Sequence, residues 1–423
     1  MEFKPNYIPK NKRKVNYKIV VPFVVLAAVL FYFGIQKFMP KLDEDRSYAI
    51  CNLNSNDSRN LIKSREYSAD ILMKDYGVYG ESLGLYHEEV KAGVSDEFSG
   101  KTFFLNNLCH EDERAYMMDV SLDRKLPIAE LDDGFYELEV LDGLDRFFLM
   151  SEEKVDETFY GINRNGFRKQ VNVIADKSIF YENDESIHDK NYVYLEVKTV
   201  ENKEMVDVVI DPARLNELWE GYIDYGSSRD GVSESEITYR IAEKLQKELE
   251  ATGLRTEVLR EKDEPRDFLG TNGRAQEAYD LKAKYYINLA FPSSGATHDQ
   301  GVTVIYSSYS SNKLASDVMN HLRKGSSVVP STWTGSNDID GVYPTYRDGH
   351  YDRKLEIREV GGKFTLAGQL EENKSGKENR NGMQGITIEL GYMSDEKDYK
   401  TVVNEEDKIV AAIVEAMKKY LRI

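Results

Sequence analysis

Only two cysteines occur in 423 residues, which excludes a disulfide-stapled scaffold and a cysteine-based zinc ribbon. Basic residues are also in short supply. Lys and Arg number 56 against 74 Asp and Glu, for a net charge of −18. Residues 1–41 hold eight Lys/Arg against one acid, Glu2, and so carry +7, which leaves −25 on the other 382. A body this acidic excludes nucleic acid as a partner, because phosphates need a basic surface. It would also be repelled by an anionic lipid surface. With 41% hydrophobic residues the chain is too apolar for a disordered one, and it is too long for one typical domain.

Ile19 to Ile35 is a run of 17 residues without a charge, extended slightly by Gln36 and Phe38. Crossing a hydrocarbon core of ~30 Å takes about 17–25 such residues. Lys10, Lys12, Arg13, Lys14 and Lys18 precede the run, and Asp43, Glu44 and Asp45 follow it. This predicts a transmembrane helix over 19–38, a cytoplasmic basic tail over 1–18 and an extracytoplasmic body, hence a single-pass cell-membrane protein. Tyr17, Tyr32, Phe33 and Phe38 stand where interfacial aromatics belong. A cleaved signal peptide would end at small residues, whereas Met39-Pro40 follows here. Cys51 and Cys109 then face an oxidising compartment, and a bridge between them is expected. It would close a long loop and add about 4 kcal/mol in the loop-entropy model. Two buried free thiols are the alternative.

Residues 42–200 read as a β-rich module. Phe135-Tyr-Glu-Leu-Glu-Val140 alternates at period two after Asp133-Gly134, and Arg146–Met150 and Gln170–Ile174 are short strand-like runs. Asn165-Gly166 marks a hairpin, and Tyr192–Val197 closes the series. Short strands at regular spacing suggest a sandwich or small barrel. His87, His110 and His188 stand isolated, so this half is expected to be a spacer or binding module. From Val206 the texture changes to alternating strand and helix, which argues an α/β domain with a mostly parallel sheet over 206–423. Ser233-x-x-Glu236 is a capping-box signature ahead of Ile237, Ile241, Leu245 and Leu249. Residues 324–384, rich in Ser, Gly, Asn and charge, read as a loop insertion.

The second half resembles the zinc-dependent N-acetylmuramoyl-L-alanine amidases of the amidase-3 type. Asp211-Pro212 after a strand is similar to the family's D-P-G-H opening. Glu234 matches its acidic zinc ligand. Leu259-Arg260, Arg274 with Ala278, Tyr286–Ala290 and Gln300–Tyr306 follow in the family's order. Ile386-Thr-Ile-Glu389-Leu-Gly-Tyr-Met-Ser-Asp395 resembles its V-L-V-E-L-G-F-L-S-N ending. The resemblance implies an α/β sheet flanked by helices. It also implies a zinc held by two histidines and one glutamate, with a second glutamate, at Glu389, as general base on the metal-bound water.

The chain departs from that pattern where the metal would bind. Arg214 stands at the first histidine position and Ala290 at the third-ligand position. A lone carboxylate, Glu234, does not hold a catalytic zinc, and a guanidinium has no lone pair to give. His298 and His350 could replace the missing ligands only by folding back over the site. The expectation is therefore a membrane-anchored pseudoamidase without zinc that binds the stem peptide or glycan of peptidoglycan, or regulates an envelope protein. An active peptidoglycan amidase that retains zinc and a structural cell-envelope protein are the alternatives. Without a cation, Glu234 and Glu389 would repel, so Arg214 is expected to pair with one or both in place of the metal.

Overall fold

A computed structural model describes residues 60, 62, 67, 69–88, 96–110, 112–118, 125–177, 181–182, 185–186, 188–201, 205–217, 221–268, 272–295, 300–307, 310–331, 339–344 and 382–423. The apolar run Ile19–Ile35, Cys51, His298, His350 and most of the 324–384 insertion lie outside them. Among the described residues no helix is long and apolar enough to cross a membrane.

The first half is built of strands, as its alternation predicts. A nine-stranded open sheet and a three-stranded sheet share one core, in which Tyr76, Val78 and Leu85 meet Phe103, Leu138 and Val171. The hairpin at Asn165-Gly166 joins Val155–Tyr160 to Phe167–Ala175, with Phe159 opposite Val171. Both turn residues take positive φ, 56° and 89°, as a type I′ turn requires.

The strand Gly134–Asp142 departs from simple alternation: its first five residues are all buried. Tyr136, Leu138 and Val140 face the main core. Phe135 faces a second cluster, where it stacks on Tyr194 at 4.9 Å. His188 belongs to this aromatic cluster, edge-on to Tyr67 and Tyr192, so it is buried rather than a surface residue. Burial pushes its imidazole down to about 4, against a smaller opposing effect of Asp189. The unfolded chain takes up that proton near pH 6.5 and the folded chain only near 4. The stability contributed by the neutral ring is therefore full above 6.5 and lost as pH falls toward 4, by up to about 3 kcal/mol. Denaturant unfolding at pH 7 and 4.5 is expected to show a smaller acid loss for His188→Gln than for the natural chain. Equal losses would place the acid sensitivity elsewhere.

The second half is a six-stranded sheet with helices packed on it. Its elements are β1 (Val208–Pro212), α1 (Glu234–Glu250), β2 (Thr256–Val258), α2 (Arg274–Asp280), β3 (Tyr285–Ala290), β4 (Thr303–Tyr306), α3 (Lys313–Gly325), β5 (Val342–Pro344), β6 (Gln384–Glu389), α4 (Glu396–Asn404) and α5 (Glu406–Leu421). The strand order is β2-β1-β3-β6-β4-β5. The first four strands run parallel, and β4 lies antiparallel to β6. The sheet is thus mostly parallel, as the βα alternation predicts. The capping box at Ser233 and Glu236 is formed, and Ile237, Ile241, Leu245 and Leu249 are all buried.

The two halves meet through polar contacts as well as packing. Gly80 donates to the Gly382 carbonyl at 2.7 Å. A side chain on Gly80 would run into Tyr285, its hydroxyl at 2.6 Å and its ring at 2.7 Å, at a φ of +51°. Arg164 holds Glu81 with both arms of its guanidinium, at 2.7 and 2.6 Å, and reaches the Leu421 carbonyl at 3.1 Å. Beneath them Arg168 pairs with Asp207 at 2.6 Å, both side chains fully buried.

Candidate functional site

Parallel strands deliver their C-terminal ends to one edge of a sheet, where open α/β folds place their ligands. Here β1, β3 and β6 are neighbours in register. Pro212 lies opposite Leu289, and Ala290 opposite Glu389. The chain then leaves β1 through Arg214 and Leu215, both left-handed, at φ 72° and 61°. Neighbouring non-glycine residues in that region are costly and need surrounding structure to hold them. Two contacts do so: Leu215 donates to the Asp224 carbonyl at 2.7 Å, and the loop Pro212-Ala213 is gripped by Arg260.

Arg260 is buried and spends its donors on backbone carbonyls, those of Pro212, Ala213 and Ser235, at 3.0, 3.3 and 2.8 Å. Burial, with the nearby Arg274 charge, pushes its pKa down to about 10. Asp211 and Arg274, both singled out in the sequence, pair directly at 2.6 Å, and Tyr286 donates its hydroxyl to the same Asp211 carboxylate at 2.5 Å. Arg260, Asp211, Arg274 and Tyr286 are all buried, and Arg260 holds the loop through its carbonyls.

Glu234 opens α1 with its side chain 1% exposed. Its Oε1 accepts from the Phe291 amide at 2.9 Å, and its Oε2 from the Ser227 amide at 3.3 Å and from Arg214 Nε at 3.0 Å. The expected pairing of Arg214 with Glu234 is therefore present. A further partner, outside the expected pair of Glu234 and Glu389, is Asp224. Arg214 Nη1 donates to Asp224 at 3.2 Å. Burial works against the charged guanidinium, but Glu234 and Asp224 together outweigh it and raise its pKa above the usual arginine value. Gly226, at φ +74°, closes the cradle: a Cβ there would lie 2.4 Å from Glu234 Oε2 and 2.7 Å from Arg214 Cγ.

Asp224 was not legible as part of the site. The one local signal is its Asx-turn habit, since its Oδ1 accepts from the Gly226 amide two residues on. Glu389 ends β6, half-buried, across from Ala290 and Thr303. Cys109 is buried, and its Sγ accepts from the Phe135 amide at 3.2 Å.

The profile of a family described as N-acetylmuramoyl-L-alanine amidase matches residues 208–419, half of the chain. The chain belongs to this amidase family. No curated protein matches it. Among solved structures it is similar to the catalytic domain of CwlV, an N-acetylmuramoyl-L-alanine amidase from Bacillus (Paenibacillus) polymyxa var. colistinus. That match has 19% identity and a TM-score of 0.36, and covers 52% of this chain and 99% of the other. It is also similar to the amidase AmiC2 of Nostoc punctiforme, at 20% identity and a TM-score of 0.35 over 52% of this chain and 98% of that one. The CwlD amidase of Clostridioides difficile, solved in complex with the GerS lipoprotein, matches at 18% identity and a TM-score of 0.34, over 51% and 98%.

Amidases of this family use zinc. The donors at this amidase-like edge do not fit that ion. Of the three positions where the resemblance leads one to expect a ligand, only Glu234 offers an acceptor, and the Arg214 guanidinium is already on its Oε2. Ala290 offers none. Among the described residues no group of three or more His, Cys, Asp or Glu side chains could hold a metal ion.

Proposed function

We propose that this amidase homologue binds peptidoglycan without hydrolysing it. The observation that carries the reading is the Arg214–Glu234 pair at 3.0 Å. A guanidinium on the one surviving ligand supplies fixed positive charge but neither a Lewis acid nor an activated water. Glu389 keeps the position of a general base and has no metal-bound water to act on. The basic flank and apolar run at 19–38 support a single-pass tether with the body outside the cell membrane. Residues 42–200 then serve as a spacer or binding module. The oxidising compartment that this topology implies is what supports the Cys51–Cys109 bridge. Mass spectrometry of the non-reduced, membrane-extracted chain is expected to give one disulfide, and two freely alkylatable thiols would refute both bridge and topology.

The full chain, extracted in detergent, is expected to bind no stoichiometric zinc and to release no stem peptides from sacculi while still sedimenting with them. Elemental analysis near one zinc per chain, or peptide release abolished by a chelator, would overturn the non-hydrolytic reading.

A further inference from the structure

Beside the Arg164–Glu81 contact, the seam between the two halves leaves a cavity of about 430 Å³. Small-molecule sites occupy about 300–1,000 Å³ and often lie between domains. Tyr116, Pro127 and Ala129 line this one from the first half, and Tyr285 and Leu421 from the second. None of Arg214, Glu234 and Glu389 lines it, so the cavity is separate from the amidase-like edge.

Charge sets the cavity apart from the rest of the chain. Acids outnumber bases 74 to 56 overall. The described lining instead holds four cations, Lys125, Arg164, Lys313 and Arg422, against two acids, Glu81 and Glu130. Both acids are already matched, Glu81 by Arg164 and Glu130 by Arg422. Lys125 lies 4.7 Å over the Tyr79 ring. Among the described residues Lys313 meets no carboxylate, and its ammonium stands 5.8 Å from the centre of the Tyr420 ring. Lys313 also opens α3, whose first turn holds no acidic residue, so the positive end of that helix adds to the surplus. The C-terminal end of α5 does not cancel it, because Arg164 already donates to the Leu421 carbonyl.

The surplus favours a ligand with more carboxylates than amines. A purely anionic ligand would meet like charge at Glu130. Glu130 and Arg422 are 42% and 68% exposed, so their ion pair is worth little and can exchange partners. An ammonium suits Glu130, a carboxylate suits Lys313, and an apolar body suits Tyr116 and Pro127. A short acidic peptide has all three. We propose that this cavity binds such a peptide, with a carboxylate on Lys313 and the free amine on Glu130. The ligand then touches both halves, ties them together and stabilises the chain by linkage.

The test is calorimetric titration of the detergent-solubilised full chain with the dipeptide alanylglutamate, beside alanylglutamine amide, which keeps the amine and has no carboxylate. The acidic dipeptide is expected to bind at least about tenfold more tightly than the neutral one, the scale of one hydrogen bond to a charged group, and to raise the unfolding midpoint. Lys313→Gln, a change at an exposed side chain, is expected to weaken alanylglutamate about tenfold, with the ligand-free midpoint unchanged. Ala129→Trp, which fills the cavity, is expected to abolish binding. Equal affinity for the two dipeptides would overturn the site. So would alanylglutamate affinity unchanged by Lys313→Gln, or no binding to the natural chain at millimolar concentration. Alanylglutamate binding by a chain that fails to sediment with sacculi would uphold this site and end the wall-binding reading.

Discussion

Arg168→Ala is expected to destabilise the protein by about 3–5 kcal/mol, the cost of leaving a buried carboxylate without its cation. Arg168 is fully buried and commits each arm of its guanidinium. Nη1 goes to Asp207 at 2.6 Å and to the Gly161 carbonyl at 2.9 Å, and Nη2 goes to the Met205 carbonyl at 2.5 Å. The Asp207 carboxylate also accepts from the Asn163 and Arg255 amides, both at 2.8 Å, so it is fixed and cannot turn to water. Removing the arginine leaves a charge and two carbonyls unsatisfied at once. Thermal unfolding should fall by roughly 10 °C for a domain of this size. Pairing Arg168→Met with Asp207→Asn should recover much of the loss, because both ends of the buried pair then become neutral. A loss under about 1 kcal/mol for the single variant would mean that another group or water reaches Asp207.

The second large effect is a gain. Arg214→His together with Ala290→His is expected to create a site for one zinc per chain, with Glu234 as third ligand. Position 214 leaves the end of β1, position 290 ends β3, and Glu234 opens α1, with the carboxylate held by the Phe291 and Ser227 amides. Histidine tolerates left-handed backbone better than most residues, so the φ of 72° at position 214 is no bar. Three such ligands leave the open fourth position of a catalytic zinc. Isothermal titration with zinc should pass from no detectable binding to one equivalent, and neither single variant should match it. A folded double variant that takes up no zinc would show that the strand ends have moved apart as well as lost their ligands.

Features set within a few residues or carried by a motif were legible, and partners brought together by loops were not. The helix α1 announces itself through Ser233 and Glu236, a pair three residues apart that closes its own hydrogen bonds. Glu389 and Ala290 were placed by motif and fall opposite each other in the sheet. The pairing of Arg214 with Glu234 followed from the family resemblance, which sets both at the metal position, together with charge balance. Its second partner, Asp224, depends on how a ten-residue loop returns to β1, and periodicity carries no record of that. Arg168 and Asp207 are 39 residues apart on elements of different texture, so neither looked unusual. The alternation at Phe135 misled for a physical reason: a second aromatic cluster buries the face that period two assigns to solvent.

The family match begins at Val208, one residue after Asp207. A recombinant fragment started there would lose both members of a buried ion pair, Arg168 and Asp207, and with them the acceptor of the Arg255 amide. It would also leave behind Ile162, which packs into the core of the second half, and the Arg164 that holds the Leu421 carbonyl. The segment recognisable by descent is therefore smaller than the segment that is thermodynamically complete. Excised amidase-like pieces of this chain should be expected to aggregate, and a soluble piece would have to retain at least the Val155–Ala175 hairpin that carries these groups.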